Sequence, residues 1–301
     1  MAATIWITGA NGFTACHLLT HLREVEPEAR LVGLARGGIS SRGYDALHDV
    51  DFAQADSLAS IAKSDPPTQV YHTAGAVYPA TDDELYKVNV DGTRDLLNAV
   101  AKQDGGCRVL ITSSAAVYQP SATFVSENSP AGGASDYGKS KWEQEQIALT
   151  LGSELGINVV VARTFNLVGP GLPERLLAGA VCAKMKANQD KPIKLGDLSA
   201  YRDFIDVRDA VAAYHTIMHK GETGGVYNVC TGNAVLSRDM VHELASIAGC
   251  SELIQEAQAE DRPGVDFSEG DPSRLKALGW QPHVTLNASL CDMLGAMRAN
   301  H

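Results

Sequence analysis

Residues Thr4 to Leu18 read Thr-Ile-Trp-Ile-Thr-Gly-Ala-Asn-Gly-Phe-Thr-Ala-Cys-His-Leu. A short apolar run rich in β-branched and aromatic residues enters a Gly-rich turn, and helical apolar spacing begins at once with Phe13, Cys16, Leu19 and Leu22. Strand, tight turn and helix in that order restrict the chain to a helix laid back along its own strand. Gly9 lets the backbone turn off the strand, Gly12 lets a ligand approach the backbone, and the helix N-terminus offers N–H groups to a pyrophosphate. The segment predicts a dinucleotide site. Its spacing is Gly-x-x-Gly-x-x-Ala, not the commoner Gly-x-Gly-x-x-Gly, so the rest of the chain has to support the reading.

That rhythm is repeated. Arg30 to Ala35 predicts a second buried strand, Arg36 to Tyr44 a loop, Val50 to Ala53 a third strand, and Ser57 to Lys63 a helix ended by Asp65-Pro66-Pro67. Gln69 to Thr73 predicts a fourth strand running into Ala74-Gly75-Ala76, and residues 84 to 103 a long helix with Leu85, Val88, Leu96, Leu97 and Val100 on one face. Arg108 to Thr112, Tyr137 to Leu155 and Ile157 to Ala162 continue as strand, helix and strand. Strands apolar on both faces and separated by helices predict a doubly wound α/β fold, a parallel sheet covered on both sides.

From Phe165 the elements become smaller and mixed: a Gly-Pro-Gly turn at 169 to 171, helices near 176 to 186, 207 to 219, 237 to 248 and 286 to 298, and short strands near Ile193 and Phe204. A dinucleotide-binding domain over 1–165, also receiving parts of 203–229, and a smaller mixed α/β substrate lobe from 166–202 and 230–301 are expected, the lobe lying over the carboxyl ends of the strands.

A formal net charge of -11 argues against a nucleic-acid or anionic-membrane surface. No apolar run reaches the length of a membrane span and no signal-peptide pattern opens the chain, so a cytoplasmic protein is expected. The six cysteines are scattered without a Cys-x-x-Cys pair and predict buried thiols. His215 and His219 share a helix face at a spacing able to bind zinc, but the sequence suggests no third ligand nearby, and no metal is expected.

Chemistry gathers at successive strand ends. Ser113-Ser114 closes the fifth strand, Tyr137 and Lys141 sit one helical turn apart, and Asn166 follows the sixth strand. A phenol is a poor acid or base at neutral pH unless a cation favours the phenolate, which Lys141 is placed to do while also holding a ribose. Ser114 would fix a carbonyl oxygen beside the Tyr137 hydroxyl.

These residues fall in segments by which the chain resembles the extended short-chain dehydrogenase/reductase family, in its nucleotide-sugar epimerase, dehydratase and reductase group. The segments are Thr8-Gly9-Ala10-Asn11-Gly12-Phe13, Asn89-Val90-Asp91-Gly92-Thr93, Ser113 to Tyr118, Tyr137-Gly138-Lys139-Ser140-Lys141, Arg163 to Gly171, Arg202 to Asp209 and Tyr227-Asn228-Val229. The resemblance implies Ser114, Tyr137 and Lys141 as the catalytic group. It also implies cofactor contacts from Gly9, Asn11, Gly12, Phe13, Thr14, Ser57, Ala74, Gly75, Asn89, Tyr137, Lys141 and Thr164, with Asp56 at the adenine. Asn166, Ser114 and two arginines, Arg202 and Arg262, would hold the substrate, the guanidinium groups forking onto phosphate. The long helices 84 to 103 and 137 to 155 match those that pair into the family's homodimer.

Departures narrow the chemistry. The family's 4,6-dehydratases carry an acidic pair where this chain has Ala115 and Ala116, which argues against elimination. Thr164 replaces a usual Pro and Gln119 a usual Gly, and the sequence explains neither. At the end of the second strand stand Arg36, Gly37 and Gly38, with no carboxylate in that run to oppose a 2′-phosphate, so Arg36 predicts NADP, with NAD the alternative. The segments after the sixth strand look most like the reductases of nucleotide-linked 4-keto-6-deoxyhexoses, such as the GDP-4-dehydro-6-deoxy-mannose reductases. The expected activity is NADP-dependent reduction of a nucleotide-linked keto-(6-deoxy)hexose. Alternatives are a nucleotide-sugar 4-epimerase, a reductase of a free ketone, and a cofactor-sensing protein of the same fold without turnover.

Overall fold

The computed structural model describes residues 2–37, 43–54, 57–101, 106–187, 192–257 and 266–299. The first half alternates β1 (Thr4–Thr8), α1 (Phe13–Val25), β2 (Arg30–Ala35), β3 (Ala46–Asp49), α2 (Leu58–Ser64), β4 (Gln69–His72), α3 (Asp82–Tyr86), a π-helical turn (Lys87–Asp91), α4 (Gly92–Val100), β5 (Arg108–Ser114), α5 (Asp136–Leu155) and β6 (Asn158–Thr164). There follow β7 (Asn166–Val168), α6 (Leu177–Ala187), β8 (Ile193–Leu195), β9 (Tyr201–Asp206), α7 (Val207–Lys220), β10 (Val226–Val229), β11 (Ala234–Leu236), α8 (Ser237–Ala248), β12 (Ile254–Glu256), β13 (Phe267–Ser268), α9 (Ser273–Lys276) and α10 (Leu286–Ala299).

Seven strands form one parallel sheet in the order β10-β6-β5-β4-β1-β2-β3. Successive residues of β1 face opposite layers. Ile5 and Ile7 pack with Leu18, Leu22, Tyr214 and Ile217 of α1 and α7, while Trp6 packs with Leu58, Leu96 and Leu97 of α2 and α4. Burial on both faces accounts for the apolar strands, and this is the doubly wound architecture expected from them. The strand order runs outward in both directions from β1 and β4, which places a crevice between their carboxyl ends.

The chain leaves the sheet after β6 and returns. In a second sheet β9 pairs with β7, β11 and β13, and in a separate two-stranded sheet β8 pairs with β12; a third apolar cluster, with Val181, Met240, Leu244 and Leu290, packs in this region. Between those excursions α7 packs back on α1 and β10 completes the main sheet against β6.

Two elements differ from expectation. The third strand is Ala46–Asp49, not Val50 to Ala53; Val50 and Phe52 are buried because the loop after the strand folds under the α2–α4 layer. The expected long helix over 84 to 103 is divided by the π turn, which turns Asn89 inward.

Candidate active site

The turn after β1 is set by Gly9, whose φ of +66° lies in the left-handed region, and a Cβ there would stand 2.9 Å from Ala74 Cα in the loop after β4. The two loops are therefore in backbone contact. They are tied further by the Ala74 N–H donating to Thr8 Oγ1 (3.0 Å) and the Thr73 hydroxyl donating to the Thr8 carbonyl (2.5 Å). Gly12 N–H closes the turn on Gly9 O at 2.7 Å, and no side chain caps α1 and no acid stands in its first turn. A helix N-terminus of that kind suits an anion.

This turn opens into a cavity of about 970 Å³. Of the residues singled out in the sequence, it is lined by Gly9, Asn11, Gly12, Phe13, Thr14, Arg36, Ala74, Gly75, Ser114, Tyr137, Lys141, Thr164, Asn166 and Arg202. Two do not line it. Ser57 stands at the start of α2, and Asn89 is fully buried behind the wall. The Asn89 amide accepts from Ala76 N–H (2.8 Å) and donates to Ala76 O (3.1 Å) and Ser140 Oγ (3.0 Å), so it braces the loop after β4 against α5. Asp56 and Arg262 lie outside the described residues.

Register brings Ser114 of β5 beside Thr164 of β6. Opposite them, Ser135 caps α5 by accepting from the Gly138 N–H at 3.1 Å. A Cβ on Gly138 would stand 2.3 Å from the Ala116 carbonyl, so only glycine lets the helix start close enough for the half-buried Tyr137 to hydrogen-bond Ser114. Burial pushes the Tyr137 phenol above its ordinary value, against the lowering effect of Ser114 and the Arg175 charge. Arg175 is thus a cation acting on the phenol that the sequence reading did not name. The Lys141 ammonium instead donates to the Thr112 carbonyl at 2.6 Å and to the Gln144 side-chain oxygen.

Lys141 is 4% exposed, and burial brings it down to about 8, partly offset by Glu145. Behind it runs a buried polar chain. Gln144 donates to Thr93 Oγ1 (2.8 Å), Thr93 lies 3.0 Å from His72 Nε2, and His72 Nδ1 lies 2.8 Å from Thr8 Oγ1. Burial, with the Lys141 charge, pushes His72 down to about 3, so it is a neutral link. The chain joins the Lys141 side chain to the turn after β1.

Arg36 stands at the cavity rim, 76% exposed, but Asp51 Oδ2 lies 3.6 Å from its Nη1, and Asp49 accepts from the adjoining Gly37 N–H at 3.0 Å. The expectation that no carboxylate stands against a 2′-phosphate at Arg36 is thus corrected, because β3 pairs parallel to β2 with Asp49 beside Ala35 and so brings the acids of its end and following loop to Arg36. Arg202 is paired with Asp266 at 2.5 Å and also donates to the Tyr201 and Asp266 carbonyls. Asn166 donates to the Asp203 carbonyl at 3.2 Å.

The cavity also takes in residues with no assigned role in the sequence reading: Tyr118, Gln119, Arg175, Tyr214, Asp266 and Phe267. Gln119 lines the same space, and Thr164 and the Tyr214 hydroxyl lie 2.7 Å apart, which gives both departures a place. A basic residue shortly after the Gly-Pro-Gly turn was the available signal for Arg175. Arg163, at the head of the Arg163 to Gly171 segment, is instead buried in a pair with Glu145 (2.7 Å) that holds β6 to α5.

Comparison with known proteins agrees with this geometry. The model of the NAD dependent epimerase/dehydratase family matches residues 5–230. The chain is 30% identical to the GDP-6-deoxy-D-mannose reductase of Pseudomonas aeruginosa, over 98% of this chain and 97% of that one. It is 27% identical to the dTDP-6-deoxy-L-talose 4-dehydrogenase (NAD(P)(+)) of Kitasatospora kifunensis, over 97% and 94% of the two chains. Among solved structures, RMD from Pseudomonas aeruginosa complexed with NADPH superposes with a TM-score of 0.86 at 28% identity, covering 100% of this chain and 99% of that one. With the crevice between β1 and β4, the Ser114, Tyr137 and Lys141 wall and these matches together, the chain belongs to the NAD dependent epimerase/dehydratase family, the extended short-chain dehydrogenase/reductase enzymes.

Proposed function

We propose that the protein is an NADP-dependent reductase of a nucleotide-linked keto-(6-deoxy)hexose. The observation that carries this is one cavity in which the Gly9 and Gly12 turn and the Ser114–Tyr137 pair face the same space. The similarity to a GDP-6-deoxy-D-mannose reductase and to a structure holding NADPH supports the substrate class and the cofactor. Gly9 and Gly12 leave room for a pyrophosphate where side chains would intrude, the uncapped start of α1 favours its charge, and Arg36 offers the rim cation for a 2′-phosphate. When bound, the reduced nicotinamide supplies a hydride.

The chain's own residues do the rest. Ser114 Oγ and Tyr137 Oη hold the ketone oxygen, and the phenol, kept protonated at neutral pH by burial, gives that oxygen its proton as it becomes the alcohol. Lys141 holds the ribose and keeps positive charge at the site; Asn166 and Arg202 hold the nucleotide sugar, Arg202 exchanging Asp266 for a phosphate. In this reading 1–165 with parts of 203–229 binds the cofactor and 166–202 with 230–301 binds the sugar. The chain works as a homodimer through α4 and α5, which pack side by side. Among the described residues no helix is long and apolar enough to cross a membrane.

One observation favours a second reading. The carboxylates of Asp49 and Asp51 beside Arg36 suit ribose hydroxyls better than a phosphate, as in an NAD-retaining nucleotide-sugar 4-epimerase. The experiment is loss of reduced-nicotinamide absorbance with a GDP- or dTDP-linked 4-keto-6-deoxyhexose, with NADPH and NADH compared. Turnover with NADPH, reduced by about 10²–10⁴-fold in Tyr137→Phe, is expected. Full activity of Tyr137→Phe overturns the mechanism, and interconversion of two sugars without added cofactor selects the epimerase.

A further inference from the structure

At the far end of α1 from the cofactor turn, three metal-ligating side chains meet. His215 and His219, one helical turn apart on α7, turn their Nε2 atoms toward the same oxygen of Glu26, at 3.1 Å and 2.8 Å. Glu26 caps α1 and is held rigidly: its N–H donates to Leu22 O (2.8 Å) and its carbonyl accepts from Ala29 N–H (3.0 Å). The three ligand atoms lie within 4.8 Å of one another. His21 packs edge-on to His215 with ring centroids 5.5 Å apart, and its Nε2 is buried with no hydrogen-bond partner. The third ligand that the sequence did not offer comes from an element nearly two hundred residues away, brought alongside by the packing of α1 on α7.

We infer that Glu26, His215 and His219 form a binding site for a divalent late transition-metal cation, zinc foremost. Two imidazoles at i, i+4 present nitrogen donors to one point, and a carboxylate oxygen completes a three-donor set that neutral imidazoles and an anionic group make suited to zinc, nickel or copper and unsuited to magnesium or calcium. Ligands about 2.0–2.2 Å from a tetrahedral ion stand about 3.3–3.5 Å apart, so the Glu26 oxygen would draw back from each imidazole by a few tenths of an ångström while the two Nε2 atoms settle to that spacing. The fourth position is left to water or to a side chain swinging in. Because α1 spans about 20 Å between Gly12 and Glu26, the ion would pin the end of α1 to α7 without touching the reacting groups.

The test is titration of chelator-stripped, untagged full-length protein with Zn²⁺ by calorimetry and with Co²⁺ by visible absorption, beside Mg²⁺ as a control. One Zn²⁺ per chain, a Co²⁺ spectrum of four- or five-coordinate intensity, no Mg²⁺ heat, and a higher melting temperature with Zn²⁺ are expected. His215→Ala, His219→Ala and Glu26→Gln should each weaken Zn²⁺ by more than the roughly 10–100-fold typical of an outer-sphere partner. All three positions are at least partly exposed, so the folded state survives the changes, and circular dichroism checks it. Absence of one-to-one Zn²⁺ binding, or binding that persists in the doubly substituted His215→Ala, His219→Ala protein, overturns the assignment; the carboxylate then simply accepts hydrogen bonds from two imidazoles.

Discussion

Lys141 is the residue on which the acid–base behaviour of this site turns. Its ammonium is buried and held by a carbonyl and the Gln144 amide oxygen, and its value near 8 means that it loses its proton as pH rises through that point. A reductase that needs the charge should lose kcat on the alkaline side of about pH 8. Removing Gln144 takes away an acceptor of the charged form, so the proton is held less tightly and the alkaline limb should move to lower pH. A hydrogen bond to a charged group contributes about 1.5–3 kcal/mol, equivalent to roughly one to two pH units. The measurement is the pH profile of kcat for Gln144→Leu against the unsubstituted protein; an unmoved limb would show that Gln144 only packs. Ser114, Tyr137 and Lys141 were legible in the sequence because each sits at a strand end or helix start, where spacing alone fixes position. Gln144, three residues from Lys141, was visible too, but its meaning lay in Thr93 and His72, which only the folded sheet brings to it.

Among the elements, α5 carries the site through the closeness of its first turn to the end of β5. Alanine normally improves a helix over glycine by about 1 kcal/mol, yet Gly138→Ala places a methyl 2.3 Å from the Ala116 carbonyl. Overpacking should reverse the sign, costing about 1–3 kcal/mol in denaturant unfolding, and should lower kcat more than it raises KM by moving Tyr137 from Ser114. The elements read from sequence were those long enough to show a period: α1, α5, α7, α8 and the buried strands. β3 was misplaced because Ala46 to Asp49 alternates weakly at the sheet edge while Val50 and Phe52, in the loop, look more apolar than the strand itself. β7, β11, β12 and β13 have two or three residues each, too few for any period, and exist only because β9 and β8 offer them an edge. The division of the long helix by a π turn leaves no mark in apolar spacing; it is seen only in what Asn89 must reach.

For the whole molecule, ligand binding and stability are linked. A dinucleotide that lies across the loops after β1 and β4 joins the two halves of the sheet, and at about 100 times its Kd it adds about 2.7 kcal/mol to unfolding. A thermal shift larger with NADPH than with NADH, and equal for both in Arg36→Ala, is the expected outcome if Arg36 prevails over Asp49 and Asp51 at the 2′-phosphate; an equal shift in the unsubstituted protein would favour those carboxylates.

The sheet is also completed late. β10 reaches the outer edge of β6 only after the chain has laid down β7, α6, β8, β9 and α7, so until Val226–Val229 is synthesised the run Val161, Ala162, Arg163 and Thr164 ends the sheet with open backbone donors and acceptors. On a ribosome or in a truncated product that edge is a sticky seam, free to pair with the same seam of another chain. A chain ended before Gly225 should aggregate as it is made, whereas one ended after Cys230 should show markedly less edge-driven association in the same soluble-yield assay. The last strand of the main sheet is thus laid down only after β7 and β9 of the second sheet, so neither sheet can be exchanged cleanly for a relative's without recutting that seam.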